Sequence, residues 1–432
     1  MGAVDTVIVG CGQRGRHVFG AWARRHPGRL RVVAIAEPLA DRRQAMAREH
    51  DLDPDACFED WQALLHGPRR AAAAIIATGD TLHAAPAQAA LERGYDVLLE
   101  KPIATTPEDC VQVIQTAARC EGLLEIAHVL RYTPFYARVH QVVRSGRLGR
   151  LVRIDLREHI AHWHMTHSYV RGKFRKREIA APIVLAKSCH DLDLLCWLGD
   201  APARRVTSFG SLSHYRQDRA PEGAPERCTQ GCPVQPDCIH DAVHFYLDPD
   251  ERLARLWPWS DVSSDPTAEA RRRALESGPY GRCVYRCDND VPDHQEVTIE
   301  LESGACASFA LHGHATHETR TIRISGTRGE LRGRLQGGVI EVSRHGSLEV
   351  EEIRLEDGGI GHFGGDEGLL DHFTDIVARG AWDEARTSGR TSLESHLIGF
   401  AAERARLEGR VVEMAELRAD PPATSYEKEM QR

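Results

Sequence analysis

The sequence predicts an α/β protein with two domains, an N-terminal doubly wound parallel sheet and a C-terminal α+β domain with a large, open-faced, mainly antiparallel sheet. Its 432 residues are enough for two domains. Up to about residue 128, apolar runs alternate with helical patterns, as in parallel βα units. After that point, short segments alternate apolar and polar residues, which is typical of strands with one covered face. We therefore place the domains at residues 1–128 and 129–415.

The first domain reads as strands separated by helices. Its strands are predicted at Thr6–Val9, Arg31–Ala36, Ala72–Ala77, Tyr95–Glu100 and Leu123–Ala127, and its helices at His17–Arg25, Ala84–Arg93 and Pro107–Cys120. Gly94 follows the second helix where a left-handed C-terminal residue is expected. This order predicts a parallel sheet with helices on both faces.

The second domain reads as a series of strands followed by two helices. The strands are predicted at Leu151–His159, Glu296–Glu302, Ala305–His312, Thr319–Ser325, Glu330–Leu335, Val339–Ser343 and Leu348–Leu355, and the helices at Asp366–Ala378 and Ser392–Glu408. Thr391 and Glu394 offer a capping box to the last helix, and Gly409 a stop. A Cys- and Pro-rich insertion spans residues 220–292, and residues 416–432 form a polar tail.

Composition restricts the class of function. The net charge of −8 argues against a nucleic-acid partner or an anionic membrane surface. No apolar stretch reaches the length of a membrane span, and the start of the chain has no basic leader, so we expect a cytoplasmic protein.

A glycine loop follows the first strand. Gly10, Gly12 and Gly15 form the pattern G-x-G-x-x-G between a strand and a helix. The first glycine permits a tight turn, the second lets a pyrophosphate approach the backbone, and the third lets helix and strand pack closely. This context indicates a dinucleotide-binding Rossmann domain, although the motif alone also occurs as a structural turn.

Glu37 ends the second strand and would bind the adenosine ribose hydroxyls, which favours NAD. Arg42 and Arg43 lie nearby and keep NADP as an alternative. The residues predicted to contact the cofactor are Gly10, Gly12, Gln13, Arg14, Gly15, Glu37, Thr78, His83, Glu100 and Lys101.

Three segments are expected to converge on one cleft with catalytic groups. Lys101, held by Pro102 through a predicted cis peptide bond, ends a strand at the ligand-binding edge of the sheet. His190 precedes a helix and would act as the acid/base for a hydroxyl proton, with Lys187 as its electrostatic partner. The predicted substrate contacts are His162, Trp163, His164, His167 and Asp191. The histidines of the 162–167 segment could equally line a polar loop or a metal-facing edge.

These motifs resemble the glucose–fructose oxidoreductase / inositol dehydrogenase / MocA family. The resemblance rests on the glycine loop, on Glu100-Lys101-Pro102, and on His190-Asp191-Leu192-Asp193 before a helix, and it covers nearly the whole chain. It implies a dehydrogenase of sugars, glycosides or cyclitols that uses NAD(P), with Lys101 as the active-site lysine and His190 as the acid/base.

One position departs from that family pattern. Many members carry an aspartate four residues before the histidine, where this chain has Ala186, followed by Lys187. Redox-neutral glycosidases and epimerases that retain NAD are therefore an alternative, and a non-catalytic cofactor-sensing regulator is a second one.

Two further predictions concern assembly and metal. Five of the twelve cysteines bracket the insertion, namely Cys228, Cys232, Cys238, Cys283 and Cys287. Because the insertion has little apolar content, a structural zinc held by these thiols would explain its order, with an iron–sulfur cluster or unliganded thiols as alternatives. The open face of the second sheet predicts a homodimer or homotetramer, because broad apolar faces are seldom bare.

Overall fold

The two-sheet architecture is confirmed. A computed structural model describes residues 2–356 and 362–418. It contains a six-stranded parallel sheet and a nine-stranded mixed sheet.

The parallel sheet has the order β3-β2-β1-β4-β5-β6. Its strands are β1 (Val4–Val9), β2 (Leu30–Ala36), β3 (Cys57–Phe58), β4 (Ala73–Ile76), β5 (Asp96–Leu99) and β6 (Leu124–Ile126). Apart from the two-residue β3, all were predicted. Because β1 lies between β2 and β4, the loops after β1 and β4 diverge and leave a crevice at the carboxyl edge of the sheet.

Helices cover both faces of this sheet. The helical segments of the first domain are Gln13–Gly20, which is a π-helix, Ala21–Arg25, Ala40–Glu49, Trp61–His66, Ala84–Glu92 and Pro107–Arg119. Thr106 caps the last of these through its hydroxyl, which accepts from the amide of Asp109 at 3.1 Å. A helix from the end of the chain, Gly365–Arg379, also packs here and buries Leu369 and Phe373 against the apolar side chains of β1 and β2.

The larger sheet has the order β14-β13-β12-β11-β7-β10-β9-β8-β15. Its strands are β7 (Leu151–Ala161), β8 (Ala203–Ser211), β9 (His294–Leu301), β10 (Cys306–Ala315), β11 (Thr319–Gly326), β12 (Gly329–Arg334), β13 (Val339–Arg344), β14 (Val350–Arg354) and β15 (Val412–Glu413). The strands β7 and β10 run parallel and the other neighbours antiparallel. The strands β8 and β15 were not predicted.

Helices Cys189–Gly199 and Gly389–Glu408 pack on one face of this sheet. The remaining helical segments of the domain are Pro134–Arg144, His162–His164, Met165–Arg171, Ile183–Ala186, Ala242–Leu247, Glu251–Ala254, Ala268–Ser277 and Met414–Arg418, apart from short 3₁₀ turns. Helix Gly389–Glu408 begins three residues earlier than predicted, because its cap is Ser388, whose hydroxyl accepts from the amide of Thr391 at 3.3 Å. Its predicted stop at Gly409 is confirmed by a φ of 65°. The predicted tail lies outside the described residues except for 416–418, which are helical.

The other face of the larger sheet is mostly polar. Exposed positions on its strands include Arg153, Glu296, Thr298 and Arg323, and Arg153 pairs with Asp155 at 2.7 Å. The premise of a bare apolar face was therefore wrong, and a homodimer or homotetramer remains a prediction without that support.

The predicted zinc or iron–sulfur site is not supported. Within residues 2–356 and 362–418, no group of three or more His, Cys, Asp or Glu side chains is placed to hold a metal ion. Four of the predicted ligands, Cys228, Cys232, Cys238 and Cys283, do line one small cavity. The fifth, Cys287, instead donates to the carbonyl of Cys283 at 3.3 Å.

Two physical reasons account for this correction. The buried guanidinium of Arg171 lies 3.8 Å from the sulfur of Cys228, so the cluster already contains a positive charge that a second cation would meet at close range. Cys287 also does not line the cavity that the other four cysteines share.

The insertion also has more internal support than predicted. Ala242, Tyr246 and Leu275 form a small buried core. The guanidinium of Arg271 crosses it and donates to the carbonyls of Tyr246 and Pro249 at 2.6 and 2.7 Å. Separately, no helix of the described residues is long and apolar enough to cross a membrane.

Candidate functional site

The glycine loop lies at the crevice of the parallel sheet and has room for a dinucleotide. Gly10 has a φ of +94°, and a Cβ there would lie 2.5 Å from the carbonyl oxygen of Ala77. A Cβ on Gly15 would lie 1.8 Å from the oxygen of Gly10. A Cβ on Gly12, in contrast, would meet no atom of the described residues beyond its chain neighbours closer than a guanidinium nitrogen of Arg42, at 3.7 Å. The loop is thus closely packed against neighbouring backbone at Gly10 and Gly15, and it is open at Gly12, where a pyrophosphate would approach.

Glu37 stands at the end of β2 with its carboxylate turned toward this loop. Its two oxygens accept from the amides of Cys11 at 2.8 Å and Leu39 at 3.0 Å. The guanidinium of Arg43 donates to the carbonyl of Glu37 and to the carboxylate of Glu59, whereas that of Arg42 lies at the mouth of the glycine loop. The carboxylate of Glu37 thus lies beside the glycine loop, with Arg42 as the neighbouring cation.

Several predicted cofactor residues hold the loops of the crevice. Arg14 pairs with Glu100, and with Asp366 at 2.8 Å. His83 donates through Nδ1 to the carbonyl of Pro102 at 2.6 Å. The hydroxyl of Thr78 donates to the carbonyl of Leu82 at 2.8 Å. Gln13 lines the crevice itself.

Lys101 extends from the end of β5 across to the second domain. The predicted cis bond between Lys101 and Pro102 is confirmed. The ammonium of Lys101 donates to the carbonyl of Ala186 at 2.6 Å, directly before Lys187. The strand end thus delivers a cation to the junction of the two domains.

His190 is 4% exposed, and neither of its ring nitrogens has a hydrogen-bond partner among the described residues. Its ring lies 5.8 Å from that of His128 and 5.5 Å from that of His362, centroid to centroid. Burial lowers the pKa of His190 well below its usual range, and the positive charge of Lys101 lowers it further. The imidazole is therefore neutral near pH 7, with a free nitrogen able to accept a proton.

Lys187 belongs to a charged network on the covered face of the larger sheet. Its ammonium lies 3.3 Å from the carboxylate of Glu158, which is 3% exposed. Glu158 on β7 and Arg320 on β11 are partners in the strand register, and their side chains form an ion pair. Arg320 also holds Asp191, at 2.7 Å from its Nε. Lys187 is therefore neutralised by Glu158, and the strongest cation acting on His190 is Lys101.

Sequence reasoning missed this network and a second one beside it. The carboxylate of Asp193 receives two bonds of 2.6 Å from the guanidinium of Arg131. The sequence did contain a signal that Glu158 has a partner. It occupies an inward position of β7 between Leu156 and Ile160, where an unpaired charge would be costly.

The residues of the 162–167 segment lie in two different environments. His164 pairs with Glu318 and lies close enough to Lys187 for that charge to lower its pKa, after the larger effect of burial. His167 instead accepts or donates at Nδ1 with the hydroxyl of Tyr246 at 2.8 Å, inside the insertion. His162 lies 5.9 Å from His240, and Trp163 stacks on Phe245 of the insertion at 6.0 Å, in both cases between ring centroids. Within this segment, His164 thus interacts electrostatically with the Lys187 network.

The site combines a nucleotide crevice, an ammonium and a neutral buried histidine at one domain junction. These features define the class of an oxidoreductase with a dinucleotide-binding domain. Two family models support this class. One described as "Oxidoreductase family, NAD-binding Rossmann fold" matches residues 4–128, and one described as "Oxidoreductase family, C-terminal alpha/beta domain" matches residues 140–361. The chain belongs to the Gfo/Idh/MocA oxidoreductase family.

Individual relatives share less than a third of their aligned residues with this chain. YteT of Bacillus subtilis (strain 168) is 29% identical over 263 residues, which are 60% of this chain and 59% of YteT. Inositol 2-dehydrogenase 2 of Saccharopolyspora erythraea is 26% identical over 198 residues, 44% of this chain and 52% of that protein. The chain thus spans somewhat over half the length of these relatives.

A solved structure shares the fold over nearly its whole length. Levoglucosan dehydrogenase, in complex with NADH and levoglucosan, superposes with a TM-score of 0.69 at 17% identity. The match covers 95% of this chain and 99% of that one.

Proposed function

We propose that this protein is an NAD-dependent dehydrogenase that oxidises or reduces a secondary alcohol of a sugar, glycoside or cyclitol. The observation that carries the proposal is that Lys101, bonded to the carbonyl of Ala186, acts electrostatically on the neutral His190, whose ring nitrogens have no hydrogen-bond partner among the described residues. Relatives that act on inositol and levoglucosan support the substrate class. The cofactor supplies the hydride acceptor or donor when bound.

The other steps are assigned to side chains of the protein. His190 takes the proton from the substrate hydroxyl in the oxidative direction and returns it in the reductive one. Lys101 stabilises the negative charge that develops on the substrate oxygen. Lys187 and His164 contact the substrate, whereas Asp191, which is fully buried, holds Arg320 in the network beside them. Glu37 binds the adenosine ribose and favours NAD, while Arg42 sets how well NADP is tolerated.

The test is a substrate screen. Purified protein is mixed with NAD or NADP and a panel of inositols, aldoses, uronates and anhydrosugars, and formation of the reduced cofactor is followed by absorbance. Turnover of at least one polyol in the panel supports the proposal. If no compound is oxidised and none of the matching ketones is reduced, net dehydrogenase activity is ruled out for these classes.

A redox-neutral glycosidase or epimerase is the second candidate. The observation that favours it is the insertion, which borders the nucleotide crevice and would hinder exchange of the cofactor. Mass spectrometry of cofactor released from the purified protein separates the two candidates, since a redox-neutral enzyme retains stoichiometric NAD through purification. Homo-oligomer formation and a cytoplasmic location remain predictions from the sequence.

A further inference from the structure

A cavity of about 570 Å³ lies between the nucleotide-binding domain and the insertion. One wall comes from the first domain and includes Gly12, Gln13 and Arg42. The opposite wall comes from residues 254–266 of the insertion, here called the covering segment, and includes Arg255, Ser260 and Ser263. The cavity thus adjoins the glycine loop, and Lys101 is not among the residues that line it.

The location within the crevice identifies which half of the cofactor this cavity would receive. Gly12 marks the approach of the pyrophosphate, and the carboxyl end of β2, next to Arg42, marks the adenosine ribose. The covering segment therefore faces the adenosine diphosphate half, and the nicotinamide half extends toward Lys101 and His190.

The two walls also interact electrostatically. Asp261 of the covering segment raises the pKa of His17, in the helix after the glycine loop, against the larger lowering effect of burial. Burial acts to raise the pKa of Asp261, but His167, Lys173 and Arg42 lower it. Arg255 is solvent-exposed at this wall, so its positive charge is available to a bound phosphate.

The covering segment is tied to the second domain. The Nε2 of His167 lies 3.5 Å from the carboxylate of Asp261. The indole nitrogen of Trp259 donates to the carbonyl of Phe245 at 2.9 Å. The wall is thus held in place through Trp259 and Asp261, on both sides of Ser260.

We infer that residues 254–266 form the second wall of an adenosine diphosphate subsite, that Arg255 binds the phosphate attached to the adenosine, and that this wall slows release of the dinucleotide. The inference rests on the proposed function, because it requires that the crevice binds a nicotinamide dinucleotide. It gives the Cys-rich insertion a role in holding the cofactor in place of the metal site predicted from its sequence.

The test compares Arg255→Glu with Arg252→Glu, a control that makes the same charge change in the same insertion but outside the cavity. Calorimetry with NADH, ADP and nicotinamide mononucleotide gives affinities, and stopped-flow fluorescence gives the NADH release rate. We expect Arg255→Glu to weaken NADH and ADP by ~10-fold or more and to speed NADH release, since it replaces an attraction by a repulsion. Nicotinamide mononucleotide should bind as before.

Two results would overturn the inference while leaving the proposed function intact. One is equal NADH and ADP affinity in the two variants. The other is an equal loss for nicotinamide mononucleotide, which would show a general effect on the fold. If wild-type protein binds neither NADH nor NADPH, the proposed function itself fails, and the inference fails with it.

Discussion

The ammonium of Lys101, at the end of a strand in the first domain, donates to the carbonyl of Ala186 in the second domain at 2.6 Å. This bond ties the nucleotide-binding sheet to the segment that carries Lys187 and His190. Opening the cleft would therefore break a charge-assisted hydrogen bond and remove the cation from His190.

Replacing Lys101 by methionine should abolish most of the activity without unfolding the protein. The side chain keeps its length but loses the charge that stabilises the substrate oxygen, so turnover should fall at least ~10²-fold. NADH affinity, measured by calorimetry, should stay within about threefold, because the adenosine half lies elsewhere. Lys176→Met, which removes a surface lysine paired with Glu178, is the control. Near-wild-type turnover in Lys101→Met would exclude the assignment.

The pH profile of kcat/KM should report His190. Burial lowers the pKa of this histidine well below 6.5, so the neutral, proton-accepting form persists as the pH falls, and the acid limb should begin well below pH 6.5. In His190→Ala that limb should disappear and turnover should drop ~10²–10⁴-fold. A profile of unchanged shape in the variant would move the acid/base role to His164 or Lys187.

Cofactor preference should depend on Glu37. Its carboxylate lies beside the glycine loop, where we propose that the adenosine ribose binds, so wild-type protein should bind NADH more tightly than NADPH. Glu37→Gln should reduce the difference between the two affinities, because it removes the negative charge. When Glu37→Gln is combined with Arg42→Ala, the improvement in NADPH affinity should be lost. Calorimetric dissociation constants for both cofactors decide the point. Tighter NADPH binding by the wild type would show that Arg42 outweighs Glu37.

The sequence was informative where a pattern is local. The glycine loop, the strand ending at Lys101 and seven strands of the larger sheet follow from periodicity of apolar residues and from turn chemistry. The strand β8 was missed because its alternation is imperfect, with Ser208 buried and Phe209 74% exposed. Its place is set by pairing with β9, a contact that no local pattern encodes.

The candidate site was predicted only as far as single residues allow. Lys101 and His190 could be named, but their partners come from distant positions, as in the pairing of Glu158 with Arg320 across 162 residues. The cysteine spacing was misleading for the same reason. Arg171, which lies against Cys228, is 57 residues away from it in sequence, so the positive charge within the cluster could not be read from the spacing.

The buried pair of Arg131 and Asp193 should contribute strongly to stability. The two side chains are 7% and 1% exposed and share two hydrogen bonds of 2.6 Å. In Arg131→Met the carboxylate stays buried without its cation, so the free energy of unfolding, measured by urea denaturation at pH 7, should fall by about 3–5 kcal/mol. Arg153→Met, which breaks the more exposed pair with Asp155, should cost about 1 kcal/mol or less.

The pH dependence of the same variant separates loss of the charge pair from loss of packing. Burial already raises the pKa of Asp193 against the lowering effect of Arg131, and without Arg131 it should rise further. A carboxyl whose pKa is higher in the folded than in the unfolded state destabilises the protein at high pH, and this penalty is relieved as the pH falls through the folded-state pKa. The deficit of Arg131→Met relative to wild type should therefore be smaller at pH 5 than at pH 7. A deficit independent of pH would mean that Arg131 acts mainly through its packing against Trp197, 5.4 Å from the ring centroid.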